Sequence, residues 1–408
     1  MSGVDCPCSL TRSELFGKAS KETPLSAVRY AGVFVAVLTT TALARPPAVR
    51  YTIVDLGTLP GGTSSVATDI NDHGQIVGWS TTFSGAQHAV AWQDDLTIVD
   101  LGTLPGGASS AALFINDRGD IFGVSDTAEG WRNAVLWHEG TMVDLGRLPG
   151  FANSSPTAVN NRGQLVGEGE TQDTGTSHAF VYQNGTTIDL GIGAATSNNS
   201  RDEVAGLLWN PTSGQYHAFV WKDGTSTDLG TLGGTFSYGS AINDRGAVVG
   251  QSLTQSGAAH GFRWDDGTMI DLGVLSGGNT SAAADINSGG QIVGISGIAS
   301  GRFRAFLWQD GTMFDLGTLP GGDFSQAFEI NERGQIAGVS STPASPHIFV
   351  WDRGTMIDLG TLPGAEVVDF FYIPALNNRG DVVGQSMTAS GEGHAVLWTT
   401  RHVKDQRH

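Results

Sequence analysis

Aspartate stands directly before Leu-Gly at intervals along the chain, and a carboxylate repeated in this way could bind a metal ion or act as an acid or base. These residues are Asp55, Asp100, Asp144, Asp189, Asp228, Asp271, Asp315 and Asp358. A catalytic carboxylate is needed once, whereas eight copies in one sequence context indicate a structural role. We therefore expect each aspartate to accept hydrogen bonds from backbone N–H groups and to order the loop that follows. No catalytic residue is predicted among them.

Histidine recurs as well, in a His-Ala-Phe phrase or a variant of it, and imidazole is a common metal ligand. The histidines are His88, His178, His217, His260, His347 and His394. Copies one repeat apart are too distant to share an ion unless they line a narrow axis, so we expect hydrogen bonds at these positions. The Asn-Asp-Arg-Gly turns lack the dense alternation of ligands in a calcium loop. The sequence predicts no cofactor, with Ca²⁺ as the alternative left open.

Aromatic side chains fall outside the repeated phrases, in or beside segments that vary in length and content. They are Trp79, Phe83, Trp131, Trp209, Tyr216 and Phe303, and an insertion over 365–374 adds Phe370, Phe371 and Tyr372. Aromatic rings on exposed loops can stack on sugars or anchor a protein partner. The other interpretation is that these rings pack locally over the sheet edges. On the first interpretation they form a face that binds an extracellular protein or glycan.

Three glutamates, Glu168, Glu170 and Glu203, also stand outside the repeat pattern. Two carboxylates at a suitable separation can hydrolyse a glycosidic bond, but the sequence alone does not give their separation. Motifs of other enzyme classes are absent: there is no Gly-x-Ser-x-Gly, no phosphate-binding loop and no His-Glu-x-x-His. The Ser-x-Asp-x-Gly-x-Thr-Trp box of sialidase-like propellers is missing too.

The elements that position these residues are four short phrases, repeated in fixed order about every 44 residues. We name them strand A (an apolar residue and Asn), strand B (Gly-Gln-Ile-Val-Gly), strand C (His-Ala-Phe-Leu-Trp) and strand D (ending in Asp-Leu-Gly). Asn-Asp-Arg-Gly joins A to B and Asp-Gly-Thr-Met joins C to D, both typical of tight hairpins. The strand-A phrase is weaker near Asn198. Two hairpins per repeat predict four-stranded antiparallel blades of a β-propeller.

The order of the phrases predicts that the ring closes. The chain begins with a lone strand D over 51–57 and ends with a lone strand C over 394–398. If these two pair, residues 51–398 form an all-β, eight-bladed propeller in which the N-terminal strand completes the last blade. Closure removes the exposed sheet edges that an open array would present.

The repeat as a whole resembles a known family. Residues 217–252, "HAFVWKDGTSTDLGTLGGTFSYGSAINDRGAVVGQS", are similar to the HAF-repeat family of bacterial extracellular repeat proteins. The resemblance extends over 51–398 and implies secretion and a repeat-built β architecture. It supplies no catalytic or ligand motif to carry over.

The first fifty residues predict export. A basic residue and the apolar stretch 30–44 end in Ala-Leu-Ala, typical of a signal peptide cleaved after Ala44. We assign 1–44 to this peptide with a polar extension, 45–50 to a linker and 399–408 to a polar tail. The product would be secreted, with the periplasm as the other destination. No further apolar segment is long enough to span a membrane.

Composition narrows the function. Glycine makes up 58 of 408 residues, which suits short strands and tight turns, and a formal charge of −18 argues against nucleic-acid binding. In the predicted fold the B–C and D–A loops share one face, and these loops vary most. We predict a secreted, monomeric, non-enzymatic module that binds a protein or glycan there. The alternatives are a propeller enzyme acting on extracellular polysaccharide and a structural cell-surface protein.

Overall fold

A computed structural model describes residues 50–146, 151–171, 175–365 and 373–401. Over these residues the backbone forms strands and turns and no helix. The strands in chain order are β1 (Thr52–Gly57), β2 (Ser65–Ile70), β3 (Ile76–Thr81), β4 (Gln87–Trp92), β5 (Ile98–Gly102), β6 (Ser110–Ile115), β7 (Ile121–Asp126), β8 (Arg132–His138), β9 (Thr141–Gly146), β10 (Phe151–Val159), β11 (Leu165–Thr171), β12 (Ser177–Gln183), β13 (Thr186–Asn198), β14 (Val204–Asn210), β15 (Gln215–Lys222), β16 (Thr225–Asp228), β17 (Gly233–Ile242), β18 (Val248–Thr254), β19 (Ala259–Asp265), β20 (Thr268–Gly273), β21 (Ser281–Ile286), β22 (Ile292–Gly297), β23 (Phe303–Gln309), β24 (Thr312–Asp315), β25 (Ser325–Ile330), β26 (Ile336–Ser340), β27 (His347–Asp352), β28 (Thr355–Asp358), β29 (Ala375–Leu376), β30 (Val382–Met387) and β31 (Gly393–Thr399).

The strands build antiparallel sheets, as predicted from the paired hairpins. Five four-stranded sheets follow the chain directly: β2 to β5, β6 to β9, β17 to β20, β21 to β24 and β25 to β28. A seven-stranded sheet runs from β10 to β16. In it, β13 pairs with β12 through Ile192 and with β14 from Gly193 onward, so it serves as strand D of one repeat and strand A of the next.

The remaining sheet joins the two ends of the described chain, in the order β1-β31-β30-β29. Strand β1 pairs antiparallel with β31, from Thr52 opposite Thr399 to Gly57 opposite Ala395. The first strand of the repeat region therefore supplies strand D to the last repeat.

Apolar side chains fill the space between successive sheets. Val77 and Ala89 of one sheet form a buried cluster with Leu104, Ile115 and Trp137, which belong to the next sheet and the turn before it. The indole N–H of Trp137 donates to the carbonyl of Leu101, 3.0 Å away. Each such buried side chain stabilises the fold by about 1.5–3 kcal/mol. A single four-stranded sheet could not cover its own faces, so its neighbours are part of its stability.

The strand-A asparagines connect one repeat to the next. In each, the Nδ2 group donates to the backbone carbonyl of the asparagine in the following repeat, at 2.8 to 3.4 Å. The order is Asn71, Asn116, Asn160, Asn199, Asn243, Asn287, Asn331, Asn377 and then Asn71 again. In the weak fourth copy this position is held by Asn199, one residue after the Asn198 that the sequence pattern indicated.

Candidate functional site

The repeated aspartates order the chain at the end of strand D. In each, Oδ1 accepts a hydrogen bond of 2.7 to 2.8 Å from the N–H of the glycine two residues later. In the first copy, Gly57 has a φ of +70°, a left-handed backbone conformation that residues other than glycine rarely adopt. The carboxylate therefore stabilises a sharp turn into the next segment.

The same aspartates accept a second contact from the repeated histidines. The pairs His88–Asp100, His178–Asp189, His217–Asp228, His260–Asp271, His347–Asp358 and His394–Asp55 each join Nδ1 to a carboxylate oxygen at 2.8 to 3.0 Å. The hydrogen bond that His394 donates to Asp55 raises the pKa of His394. Among the described residues, no group of three or more His, Cys, Asp or Glu side chains is arranged to hold a metal ion.

The predicted aromatic residues are distributed over several sheets. Phe83 is 88% exposed, Trp131 46% and Trp209 41%. The rings of Trp209 and Tyr216, which lie opposite each other on β14 and β15, meet edge to face with centroids 5.2 Å apart. Trp79 lies on β3 and Phe303 begins β23, both partly buried. Phe370, Phe371 and Tyr372 lie outside the described residues.

The structure removes Glu203 from the candidate acids and bases. Its carboxylate is buried, and it accepts contacts from Lys222 Nζ at 2.8 Å, Arg201 Nη2 at 2.7 Å and Asn199 Nδ2 at 2.6 Å. Burial acts to raise the pKa of Glu203, but these three partners outweigh it and the pKa is lowered. Glu203 is a structural anion, only 3% exposed and already held by three donors, so we leave it out of the candidate site.

Glu168 and Glu170 do share a site. Both line an open pocket of about 310 Å³ with Arg132, Ser154 and Ser177. The Ser177 hydroxyl lies 3.1 Å from Glu168 Oε2 and donates to it. The Ser154 hydroxyl is buried, 7% exposed, with no hydrogen-bond partner among the described residues. Arg132 comes from β8, the strand C of the preceding sheet, and its Nε lies 3.2 Å from Asp126.

The pocket lies where the repeat departs from its rule. In six repeats, a serine of strand B accepts a hydrogen bond from the N–H of the leucine in the Leu-Pro-Gly or related turn that precedes strand A. These serines are Ser80, Ser125, Ser252, Ser296, Ser340 and Ser386. Gly169 takes this position on β11, between the two glutamates. A missing serine beside two unrepeated carboxylates was the sequence signal for this site.

Sequence reasoning missed a set of enclosed carboxyl groups on strand A. Asp69 accepts the N–H of Ile115 in the next repeat through Oδ2, at 2.8 Å. Asp285 accepts Ile330 and Glu329 accepts Leu376 in the same way. Burial raises the pKa of Asp69 to about 6 and raises those of Asp285 and Glu329 as well. The available signal was a charged residue two positions before the asparagine, where other repeats have Phe114, Ala158, Ser197, Ala241 or Ala375.

Comparison with known proteins finds similarity among solved structures. No family model matches the chain, and no curated protein is similar to it. A puromycin-hydrolysing peptidase of Mycobacterium tuberculosis is 13% identical over 70% of this chain and 50% of its own, with a TM-score of 0.48. The β-propeller domain of the Trilobed protease from Pyrococcus furiosus is 10% identical over 84% of this chain and 99% of its own, with a TM-score of 0.48.

The acylaminoacyl peptidase of Pyrococcus horikoshii is 12% identical over 84% of this chain and 52% of its own, with a TM-score of 0.47. This chain thus spans about half the length of the two peptidases named first and last. The described chain consists of antiparallel sheets, mostly four-stranded, and one of these neighbours is a β-propeller domain.

The comparison contradicts one prediction. The prediction was a non-enzymatic binding module, whereas the solved structures found include peptidases, which are enzymes. No helix long and apolar enough to cross a bilayer occurs in the part of the chain that the structure describes.

Proposed function

We propose that the chain is a closed ring of eight four-stranded blades. Two observations support this arrangement. The asparagine contacts run through eight repeats and return from Asn377 to Asn71, and β1 pairs with β31. We also propose that the protein is exported, as its resemblance to the HAF-repeat family implies. N-terminal sequencing of the secreted chain should begin at Arg45; an intact Met1 on a secreted product would contradict cleavage after Ala44.

We further propose that the protein is a hydrolase that cleaves a polysaccharide in the pocket of Glu168 and Glu170. One observation carries this proposal. Of the three glutamates outside the repeat pattern, the two that are not buried, Glu168 and Glu170, line the same pocket. The pocket also offers a guanidinium and hydroxyl groups, from Arg132, Ser154 and Ser177. Such groups can hydrogen-bond the hydroxyls of a sugar and fix its orientation.

The spacing of the two glutamates suits glycosidic cleavage. Alternate residues of a strand point to the same side and lie about 6.6 Å apart, twice the rise per residue. Glycosidases hold their two carboxyl groups between about 5 and 9.5 Å apart, with one protonating the leaving oxygen and the other acting as base or nucleophile. Rotation of the two side chains covers this interval. The Ser177 hydroxyl would hold Glu168 in place during the reaction.

The experiment is a polysaccharide panel assayed for new reducing ends with the full chain. Glu168→Gln and Glu170→Gln should each lower turnover by about 100-fold or more, the usual contribution of a general acid or base. Glu129→Gln, which removes a carboxylate from the exposed loop before β8, should leave turnover unchanged. All variants should melt at the same temperature as the parent. Cleavage that survives both substitutions, or no cleavage of any glycan by folded protein, would refute the proposal.

A further inference from the structure

Four B–C loops carry the same short phrase, Ser-Gly-x-x-His. The pairs are Ser84 and His88, Ser213 and His217, Ser256 and His260, and Ser390 and His394. In all four, the histidine Nδ1 contacts a strand-D aspartate. A carboxylate only accepts hydrogen bonds, so in the neutral ring Nδ1 carries the proton and Nε2 is left as an acceptor. In each ring, Nε2 is therefore available as a base. The conformation of the B–C loop determines which group lies opposite Nε2.

In three of these loops the serine hydroxyl contacts a threonine instead of the histidine. A threonine two residues earlier shares a hydrogen bond with the serine hydroxyl: Thr82 with Ser84 at 2.9 Å, Thr254 with Ser256 at 2.9 Å and Thr388 with Ser390 at 2.8 Å. These loops therefore carry the phrase without bringing its two ends together.

The fourth loop differs because Pro211 replaces the threonine and the turn is longer. Ser213 Oγ lies 3.4 Å from His217 Nε2. The opposite ring nitrogen, Nδ1, lies 2.9 Å from Asp228 Oδ2. Asp228 is further fixed by Asn210 Nδ2 at 2.5 Å and by the N–H of Gly230 at 2.7 Å. Hydroxyl, imidazole and carboxylate thus follow one another in the order that activates a serine nucleophile.

We propose that Ser213, His217 and Asp228 form a nucleophilic site for acyl esters, independent of the pocket of Glu168 and Glu170. Ser213 Oγ forms a bond to the ester carbonyl carbon as its proton passes to His217 Nε2. The bond from that carbon to the alcohol oxygen then breaks, and the imidazolium returns the proton to the departing alcohol. Water, deprotonated by the same imidazole, releases the carboxylic acid and restores the serine. Asp228 stays ionised and orients the ring.

The surrounding loop predicts a slow reaction. The N–H groups of Thr212 and Ser213 both donate to Asn210 Oδ1, at 2.8 and 3.1 Å. The amide of the nucleophile is therefore not directed at a developing oxyanion, and loss of one such donor costs about 100- to 1,000-fold in rate. Covalent modification of Ser213 therefore reports the reactivity of this serine more directly than ester turnover does.

The test is reaction of the full chain with a fluorophosphonate probe, followed by peptide mass spectrometry. The Oγ–P bond forms, the P–F bond breaks, fluoride leaves and the hydroxyl proton passes to His217. Ser213 should be labelled well above Ser84, Ser256 and Ser390, which serve as matched sites in the same molecule. Ser213→Ala should abolish that label, while Ser256→Ala should leave it unchanged.

The role of the imidazole is tested with His217→Asn. The chain itself shows that asparagine is accepted at this position: Asn133 Nδ2 donates to Asp144 at 2.9 Å in another repeat. The variant should therefore keep its melting temperature and label about 100-fold more slowly, since it lacks a base. Glu168→Gln should label normally, which separates this site from the glycan pocket. Equal labelling of all four serines, or none at Ser213, would overturn the proposal.

Discussion

The histidine of the His-Ala-Phe phrase holds the strand-D aspartate at six positions, and two repeats replace it with Asn133 or Arg304. Asn133 reproduces the contact with its aspartate, whereas Arg304 donates to the carbonyls of Phe303 and Asp323. The structural contact therefore needs a donor but not an imidazole. What distinguishes His217 is the hydroxyl opposite its other nitrogen. A single residue can therefore give a structural contact a new chemical role, as Ser213 does for His217.

Backbone conformation is a second property that single residues decide. Six C–D turns have two central residues with positive φ, the second always glycine, as in Arg353 at 48° and Gly354 at 84°. Asn-Gly is preferred in such type I′ turns because asparagine tolerates the left-handed region. Arg353→Asn should raise the free energy of unfolding by several tenths to about 1 kcal/mol. Its side chain is 94% exposed and its contact with Asp352, at 3.7 Å, contributes little.

The chain provides the reciprocal control for this prediction. Asn184 already occupies the same turn position, with a φ of 51°, so Asn184→Arg should lower the unfolding free energy by a similar amount. Urea titration of both variants measures the two changes. Shifts of the same sign in the two variants would show that turn conformation does not govern stability here.

Strand A is the element in which a structural contact has an electrostatic cost. The carboxyl oxygens of Asp69 accept the N–H groups of Ile70 and Ile115, which joins two neighbouring strands. Burial nevertheless raises the pKa of Asp69, with the nearby charge of Asp117 acting in the same direction. The hydrogen bonds to the backbone oppose the shift without cancelling it. The folded chain therefore favours the protonated form of Asp69, although both N–H donors favour the ionised form.

This cost predicts a pH dependence of stability. Because the pKa of Asp69 rises from 3.8 to about 6 on folding, the folded chain binds more protons than the unfolded chain between about pH 4 and 6. Stability from this group is complete below that interval and is lost as the pH rises through 6. Asp69→Asn should remove up to about 2 kcal/mol of the fall, less than the full value of 1.4 kcal/mol per pKa unit because the side chain keeps some solvent contact.

Chemical unfolding at pH 4.5, 5.5 and 7 would measure this dependence. Asp94→Asn, on an exposed turn, removes one negative charge elsewhere and should preserve the parent's slope. The slope due to Asp285, whose pKa is also raised by burial, should persist in Asp69→Asn, whereas the slope due to Glu329 should weaken because the charge of Asp69 helps to raise its pKa. If the stability of Asp69→Asn fell with rising pH as steeply as that of the parent, Asp69 would not be the source of the pH dependence.

At the scale of the whole molecule, the repeat makes the architecture readable from sequence, since each phrase carries its own turn residues and apolar spacing. The continuous strand β13 was not predicted from the sequence. Residues 189–196 lack the Pro-Gly-Gly break that separates strand D from strand A in other repeats, and the backbone continues there from one sheet into the next. The partners of Glu203 also depended on the fold, because Lys222 lies on another strand. The same holds for Ser213, whose distance to His217 depends on the turn at Pro211.

The pairing of β1 with β31 makes the stability of the last sheet depend on the first strand. Deleting residues 51–57 would expose the edge of β31 and remove the buried Leu56 with the partly buried Tyr51, Ile53 and Val54. At about 1.5–3 kcal/mol for each fully buried side chain, we expect a loss of roughly 4 kcal/mol or more. Exposed strand edges also promote association between chains. The deletion variant should therefore unfold at lower denaturant concentration and aggregate.

A circular permutant separates the loss of contacts from the loss of chain continuity. Because Thr52 lies opposite Thr399, a short Gly-Ser turn can join residue 401 to residue 50, as hairpin loops of two to five residues do. The chain would open between Ser84 and Gly85, in the exposed loop after β3. This permutant keeps every strand pair and should retain most of the parent's unfolding free energy, while the deletion variant does not. If the deletion variant were as stable as the permutant, the pairing of β1 with β31 would contribute nothing to the stability of the last sheet.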